Sequence, residues 1–324
     1  MLKRRQLAGL LASTATLLAA TVPQSVLAQA WPNKPVTIVV GYAAGGGVDF
    51  TARIVAEKLP ALIGQPVVVE NRPSVGAVVG SAYVAKAKPD GYTLMMGAPG
   101  PVIFNHAMSN NLPYGPNDFA AISWVSNSPL VLLVNANNPA NTVQELAAQA
   151  RANPDKSNYA ASSASFQLIT ELFNRRTNAK FTHIPYKGAN ESVMAVMTGD
   201  VTMTLADAGP ASTGLQSGRV KALAVTSGER LKQLPNVPTL AELGVDLKVS
   251  LWIGLLAPQG TPADIIKKLE DAVAKIVAMP DVRAKLEAKS VVAQATSSQD
   301  FARQIAAEIP MWRQVAVDNN IKGN

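Results

Sequence analysis

Uninterrupted apolar runs, each closed by glycine or other small residues, set the pattern of the chain from position 35 onward. Pro35 to Val40 is one such run, and its β-branched residues predict a strand buried on both faces. Gly41, Tyr42, Ala43, Ala44, Gly45, Gly46 and Gly47 follow it. From Asp49 to Leu62 the apolar positions Ile54, Val55, Leu59 and Leu62 then fall on one helical stripe, which Gly64 ends. Pro66 to Glu70 is a second buried strand, so the segment predicts a strand, helix, strand unit of a parallel sheet. A right-handed crossover puts the glycine loop at the carboxyl edge of that sheet, where open α/β sheets take their ligands.

The same layout recurs. Ser74 to Ala87 predicts a second helix, Pro89-Asp90-Gly91 a turn, and Tyr92 to Met96 a strand that ends in the small-residue loop Gly97-Ala98-Pro99-Gly100-Pro101. Ile122 to Val134 reads as extended but broken by Ser126-Asn127-Ser128-Pro129, and this break marks the first crossing between two domains. Thr142 and Glu145 form a capping box at the head of a helix that runs to Asn153. Tyr159 to Ser165 separates a short strand from a helix over Phe166 to Arg175. Further strands are predicted over Val201 to Ala206, Val220 to Thr226 and Leu247 to Leu256, the last returning the chain to the first domain. Thr261-Pro262 caps a helix striped by Ile265, Ile266, Leu269, Val273, Ile276 and Val277, and helices over Asp281 to Lys289 and Gln299 to Val317 complete the chain.

The N-terminus changes the picture. Lys3, Arg4 and Arg5 precede an apolar run from Leu7 to Val22, and Ala28-Gln29-Ala30 offers the small-x-small pattern of a cleavage site. Residues 1–30 are therefore expected to be a cleaved signal peptide, with Sec export the first reading and a twin-arginine route the second. About 294 residues remain, enough for two domains, and no later stretch has the apolar length of a membrane span. Without Lys3, Arg4 and Arg5, the 29 basic residues fall to 26 against 22 acidic, a mild excess of about +4 with no basic run interleaved with aromatics. Nucleic acid is not an expected partner. With no cysteine and only His106 and His183, neither a metal nor a cofactor is expected.

Six short motifs in order carry a resemblance. They are Gly45-Gly46-Gly47-Val48-Asp49 with Ala52-Arg53, then Val69-Glu70-Asn71-Arg72-Pro73, then Pro89-Asp90-Gly91-Tyr92-Thr93-Leu94. Ile184-Pro185-Tyr186-Lys187-Gly188 follows, then Val237-Pro238-Thr239-Leu240-Ala241-Glu242, and last Trp252 with Ala257-Pro258-Gln259-Gly260-Thr261-Pro262. In these the chain resembles the substrate-binding receptors of tripartite tricarboxylate transporters, the Bug-type periplasmic receptors, from Trp31 to Ile321. The resemblance implies an α/β, two-lobed type II periplasmic-binding-protein fold, each lobe a mostly parallel sheet flanked by helices. Lobe 1 is expected over 31–128 plus 253–324, and lobe 2 over 129–252. It also implies a periplasmic monomer that binds a small organic carboxylate, delivers it to the membrane subunits of a transporter and is not an enzyme. Two departures from the family pattern bear on the pocket: Ser74 stands where glycine is usual, and Ala160 to Ser165 lacks the usual glycines.

The residues themselves suggest how an anion would be held. Helix N-termini carry unpaired amides at the positive end of the dipole, and glycines at 45 to 47 let a carboxylate come close to them. Tyr42, Ala43, Gly45, Gly46, Gly97 and Ala98 are the expected ligand contacts in the first lobe, and Ser162, Ser163 and Ser165 in the second. Asp49 has two readings, a carboxylate that orders the glycine loop or a contact to a ligand hydroxyl, protonated acid or ammonium. Asp207, which follows a strand in the second lobe, has the same two. Tyr42 and Phe50 would flank an aromatic ligand or simply pack, Lys187 belongs to a structural turn, and His183 is expected to be satisfied within the fold. Two other classes share part of this pattern. Glu70, some 20 residues beyond the glycines, gives a dinucleotide-binding outline, but the glycine spacing misses G-x-G-x-x-G. A secreted hydrolase would need a G-x-S-x-G elbow, which is absent.

Overall fold

The computed structural model describes residues 31–322 apart from 187 and 290, so the predicted signal peptide and Lys187 lie outside the described residues. The elements run β1 (Val36–Val40), α1 (Gly47–Lys58), α2 (Pro60–Ile63), β2 (Val67–Asn71), α3 (Val78–Ala85), β3 (Thr93–Gly97), α4 (Asn105–Met108) and β4 (Phe119–Asn135). Next come α5 (Val143–Ala152), β5 (Asn158–Ala161), α6 (Ala164–Thr177), β6 (Thr182–Pro185), α7 (Ala189–Thr198), β7 (Met203–Asp207), α8 (Ala208–Gln216) and β8 (Val220–Val225). The chain closes with β9 (Ser250–Pro258), α9 (Ala263–Ala278), α10 (Pro280–Glu287), β10 (Val292–Ala293) and α11 (Ser298–Asp318).

The strand order is β2-β1-β3-β9-β4-β7-β5-β6, with β8 and β10 also paired to β4. At one end β1 pairs in parallel with β2 and β3, and at the other β5 pairs in parallel with β6 and β7. Antiparallel pairing is confined to β4, β9 and their neighbours. Helices cover both faces of the first half: Val36, Ile38 and Val40 pack under α1, α9 and α10, while Val39, Met95 and Trp252 face Phe301 and Trp312 of α11.

The predicted break in β4 is not there. Ser126-Asn127-Ser128-Pro129 lies inside one strand of 17 residues, with Asn127 opposite Trp252 of β9 and Val292 of β10. The polar residues mark where β4 passes from one sheet to the other, and register shifts at Ala121/Ser123 and Trp124/Ser126 absorb the bend. A second correction concerns Thr261, whose hydroxyl donates to the Pro258 carbonyl (2.8 Å) while α9 starts without a side-chain cap. The capping box of α5 forms as predicted: Thr142 Oγ1 accepts from the Glu145 amide (3.1 Å), and Glu145 Oε2 accepts from that of Asn141 (2.7 Å).

Because β9 is antiparallel to both β3 and β4, β4 leaves the first sheet in the direction of β1 and β3. It then runs antiparallel to β7, which lies parallel to β5. The carboxyl ends of β1 and β3 therefore point toward the second sheet, and those of β5 and β7 back toward the first.

Both histidines are buried or nearly so. His106 packs edge-on against Tyr114 (5.1 Å), and its Nε2 has no partner. His183 lies against the Tyr159 ring (5.2 Å) and hydrogen-bonds the Ala161 backbone, so the expectation that it is satisfied holds except for Nε2, which has no partner among the described residues. Burial lowers both pKa values from the usual 6.5. A folded value below the unfolded one means that the unfolded chain binds the extra proton, so this contribution is complete above pH 6.5 and shrinks as pH falls below it. Between pH 7 and pH 5 the parent's urea midpoint is expected to lose more, or gain less, than that of His106→Gln, because only the parent loses the His106 contribution. An equal slope in the variant would show that the acid sensitivity lies elsewhere.

Candidate functional site

Close backbone packing fixes the first loop. A Cβ on Gly41 would lie 2.6 Å from the Cβ of Ala77, and one on Gly80 would lie 2.7 Å from the Gly41 Cα, so both must be glycine where the 74–80 segment crosses β1. Ala77, buried at this contact, holds a left-handed φ of 60°, a conformation that costs a residue with a side chain. Ser74 is extended (φ −159°), and its Oγ accepts from the Val79 amide at 2.9 Å. This position therefore does not require the glycine that is usual in the resembling family.

Asp49, the third residue of α1, organises the exposed stretch Ala43 to Gly47. Its Oδ2 accepts from the Gly45 amide (2.8 Å) and from Arg53 Nε (2.9 Å). Its Oδ1 accepts from Arg53 Nη2 (3.0 Å) and Asn71 Nδ2 (2.9 Å), and the latter also reaches the Tyr42 carbonyl (3.1 Å). The carboxylate is 2% exposed, and the Arg53 hydrogen bonds, with those from Gly45 and Asn71, hold its pKa down at about 2 despite its burial. Gly45 takes a φ of 84° to present its amide. Gly46 is the N-cap of α1 and supplies no side-chain bond, so among the described residues the amides that open the helix have no side-chain cap. The sequence reading missed Arg53 and Asn71, although an acid and a base four residues apart on a helix are a legible pair.

The loop after β3 lies beside it. Gly97 is buried, and a Cβ there would stand 2.7 Å from Leu256 Cδ1, whereas Ala98 is half-buried. A Cβ on Gly100 would lie 3.0 Å from the Tyr42 hydroxyl, so Gly100 leaves the space that Tyr42 uses to bridge the two loops. Burial, then the neighbouring Tyr114, raises the Tyr42 pKa, and the hydroxyl has no hydrogen-bond partner among the described residues. Gly100–Phe104 forms a π-helical turn, a geometry common at functional sites and not foreseen from sequence.

In the second sheet β5 ends at Ala161, and Ser163 is the N-cap of α6, again with no side-chain cap bond. The hydroxyls of Ser162, Ser163 and Ser165 make no hydrogen bond among the described residues. No residue of this loop has a positive φ, so its lack of glycine does not strain it. Asp207 ends β7 beside this loop. Its carboxyl has no ion pair and no side-chain donor among the described residues, and burial raises its pKa to about 6. Phe50 packs partly buried against the core of the first sheet.

Thus the loops after β1, β3, β5 and β7 bring the predicted residues to facing sheet edges, with the uncapped N-termini of α1, α6 and α8 among them. A separate groove of about 770 Å³ is bordered by Trp124, Asn127, Pro129, the 227–233 segment and elements α10, β10 and α11. None of the predicted ligand contacts lines it; its charges, such as Lys232 and Glu287, are exposed to solvent except for Glu308, which is half-buried. Among the described residues no cluster of three or more His, Cys, Asp or Glu is placed to hold a metal, and no helix is long and apolar enough to cross a membrane.

Comparison with known proteins accords with this geometry. A protein from Cupriavidus necator, the UPF0065 protein in the gbd 5' region, is 35% identical over 93% of this chain and 92% of its own. Protein BugT of Bordetella pertussis is 33% identical over 94% of each chain. Among solved structures, R. palustris Rpa4515 with adipate is 32% identical, covers 90% of this chain and 99% of its own, and superposes with a TM-score of 0.72. MatC from Rhodopseudomonas palustris with bound malate is 30% identical, covering 88% and 99%, with a TM-score of 0.68. A TctC solute binding protein from Polaromonas without ligand, only 27% identical and covering 89% and 99%, reaches 0.81. The model of the tripartite tricarboxylate transporter family receptor matches residues 51–321, and the chain belongs to that family of substrate-binding receptors.

Proposed function

We propose that this chain is a periplasmic receptor that clasps a small organic carboxylate between two lobes and presents it, chemically unchanged, to the membrane subunits of a tripartite tricarboxylate transporter. The lobes are 31–128 with 253–324, and 129–252, and the working unit is a monomer. One observation carries the reading: α1 and α6 both begin in small-residue loops at facing sheet edges, and neither N-terminus is closed by a side-chain cap. A carboxylate at each uncapped end satisfies amides that otherwise have only water, with about 1.5–3 kcal/mol per charge-assisted hydrogen bond. The relatives solved with adipate and malate support an acidic ligand. The better superposition on the ligand-free relative fits lobes standing apart. The loop serines make no hydrogen bond to either histidine among the described residues, in keeping with a receptor rather than a hydrolase.

Within this reading Tyr42, Ala43, Gly45, Gly46, Gly97, Ala98, Ser162, Ser163 and Ser165 line the ligand, and Asp49 acts from behind the loop. Its four hydrogen bonds occupy both carboxylate oxygens, so it sets where the amides point and does not reach the solute.

Two measurements test this. A thermal-shift screen of organic acids on residues 31–324 should find a ligand that, at 100 times its Kd, stabilises by about 2.7 kcal/mol, a rise of several degrees. Gly46 has a φ of −74°, and a Cβ there would meet nothing nearer than the Ala43 carbonyl at 3.5 Å. Gly46→Leu should therefore fold as well as the parent and lose the ligand-induced shift; a retained shift removes the glycine loop from the site. For Asp49, a pKa lowered from 3.8 to about 2 corresponds to about 2 kcal/mol of stability. Because the folded value is the lower one, that stability is present above pH 3.8 and is lost as pH falls toward 2. Asp49→Asn should cost about this much at pH 7 in urea titrations, and less at pH 3. An equal cost at both pH values would rule out the ion pair as its source.

A further inference from the structure

Asp49 and Asp207 are carboxylates at corresponding places, each at the junction of a strand-end loop and a helix, and their surroundings are opposite. Asp49 has four donors and a guanidinium. Asp207, at the last position of β7 and level with Leu130 of the crossing strand, has no hydrogen-bond donor but its own amide. It does not cap α8, whose N-cap position it occupies. The neighbouring elements offer it no charge: β4 presents Leu130, the loop after β5 presents serines, and α8 opens Ala208-Gly209-Pro210.

A mostly buried carboxylate with no partner weakens a fold when it is ionised. Burial raises the Asp207 pKa to about 6, so at pH 7 the group is largely charged and the free chain bears that cost. It contributes nothing visible to the architecture, and it stands where the second lobe faces the cleft. Destabilising groups of this kind are characteristic of functional sites.

We infer that Asp207 is the specificity-determining residue of the cleft: it receives a proton donor, hydroxyl or ammonium, carried by the same ligand whose carboxylate lies on the helix N-termini. The ligand class is thereby narrowed to hydroxy- or amino-substituted carboxylates. A ligand with the donor satisfies the one carboxylate at these loops that the protein leaves without a donor other than its own amide. A plain acid instead seals an ionised carboxylate against methylene groups as the lobes close. A site built to hydrogen-bond a donor rejects the analogue that lacks it far more strongly than an apolar pocket rejects an extra group. This inference rests on the carboxylate receptor reading above.

Isothermal titration of residues 31–324 with matched acids decides it: succinate, L-malate and L-aspartate; glutarate, L-2-hydroxyglutarate and L-glutamate; propionate, L-lactate and L-alanine. At least one donor-bearing acid should bind about tenfold or more tighter than its plain parent. Asp207→Asn should cut the advantage of an ammonium-bearing ligand to about twofold or less, and Asp207→Leu that of a hydroxyl-bearing one. A second readout needs no ligand: the free Asp207→Asn chain should melt several degrees higher than the parent, the reverse of what loss of a structural carboxylate gives. Plain parents that bind as tightly as their substituted partners, an advantage that survives both substitutions, or a lower melting temperature for Asp207→Asn would each overturn the assignment. If acids bind but without discrimination, or if none of the nine binds while a plain acid from the thermal-shift screen does, only the role of Asp207 falls; if no acid binds in either experiment, the carboxylate receptor reading falls with it.

Discussion

One strand hydrogen-bonded into two sheets governs the rest of the structure. β4 pairs with β9, and briefly with β10, over its first part and with β7 and β8 over its second, so the position of one sheet relative to the other is set by the backbone of about four residues, Ser126 to Pro129. Everything that faces across the cleft follows from this. The carboxyl ends of the parallel strands β1 and β3 are opposed to those of β5 and β7, and the helices that start there are opposed at their positive ends. Two parallel sheets connected in another way would place those ends on unrelated surfaces.

Under the proposed function, recognition at these opposed edges falls mainly to main-chain groups, and the side chains serve to hold the main chain in place. Gly41, Gly80 and Gly97 are glycine because another atom occupies the space of a Cβ, and Gly45 because its φ is 84°. Asp49, Arg53 and Asn71 fix the loop from behind. Amides read charge and shape, so an anion of many kinds satisfies them. A side chain with an unmet requirement is what would separate one anion from another, and Asp207 is the carboxylate proposed for that part.

The parallel-sheet units were legible in the sequence because their signals are local: the β-branched run of β1, the helical stripe of α1 and the capping box of α5 each lie within one element. So were the loops of the site, since small residues directly after a buried strand already imply a carboxyl-edge turn. What was not legible depends on neighbours far along the chain. Ser126 to Pro129 looks like a loop until Trp252 and Val292 are placed on either side of it. Thr261 looks like a cap until its hydroxyl turns to Pro258. In sequence Asp49 and Asp207 are equivalent, each an acid beside small residues at a helix start. Only Arg53, Asn71 and the difference in pairing tell them apart, and the partner Asn71 comes from another strand.

The crossing itself is poorly satisfied. Of the ten buried side-chain polar atoms without a partner among the described residues, five belong to Trp124, Ser126, Asn127, Ser227 and Trp252, all on the crossing strands or beside them. Each such atom costs about 1–3 kcal/mol where a hydrogen bond would otherwise form. Apolar packing holds the region instead: Trp124 and Trp252 stack with ring centroids 6.5 Å apart, and Phe301 meets Trp252 edge-on at 4.7 Å. Apolar packing is non-directional and tolerates small rotations better than a net of oriented hydrogen bonds. The crossing thus combines the β4 and β9 backbone ladder with aromatic contact and only a few side-chain hydrogen bonds, such as Asn127 Nδ2 to Gln294 Oε1 (2.6 Å) and Thr226 Oγ1 to the Val249 carbonyl (2.6 Å). The larger share of apolar burial lies in the helix-covered cores of the two sheets.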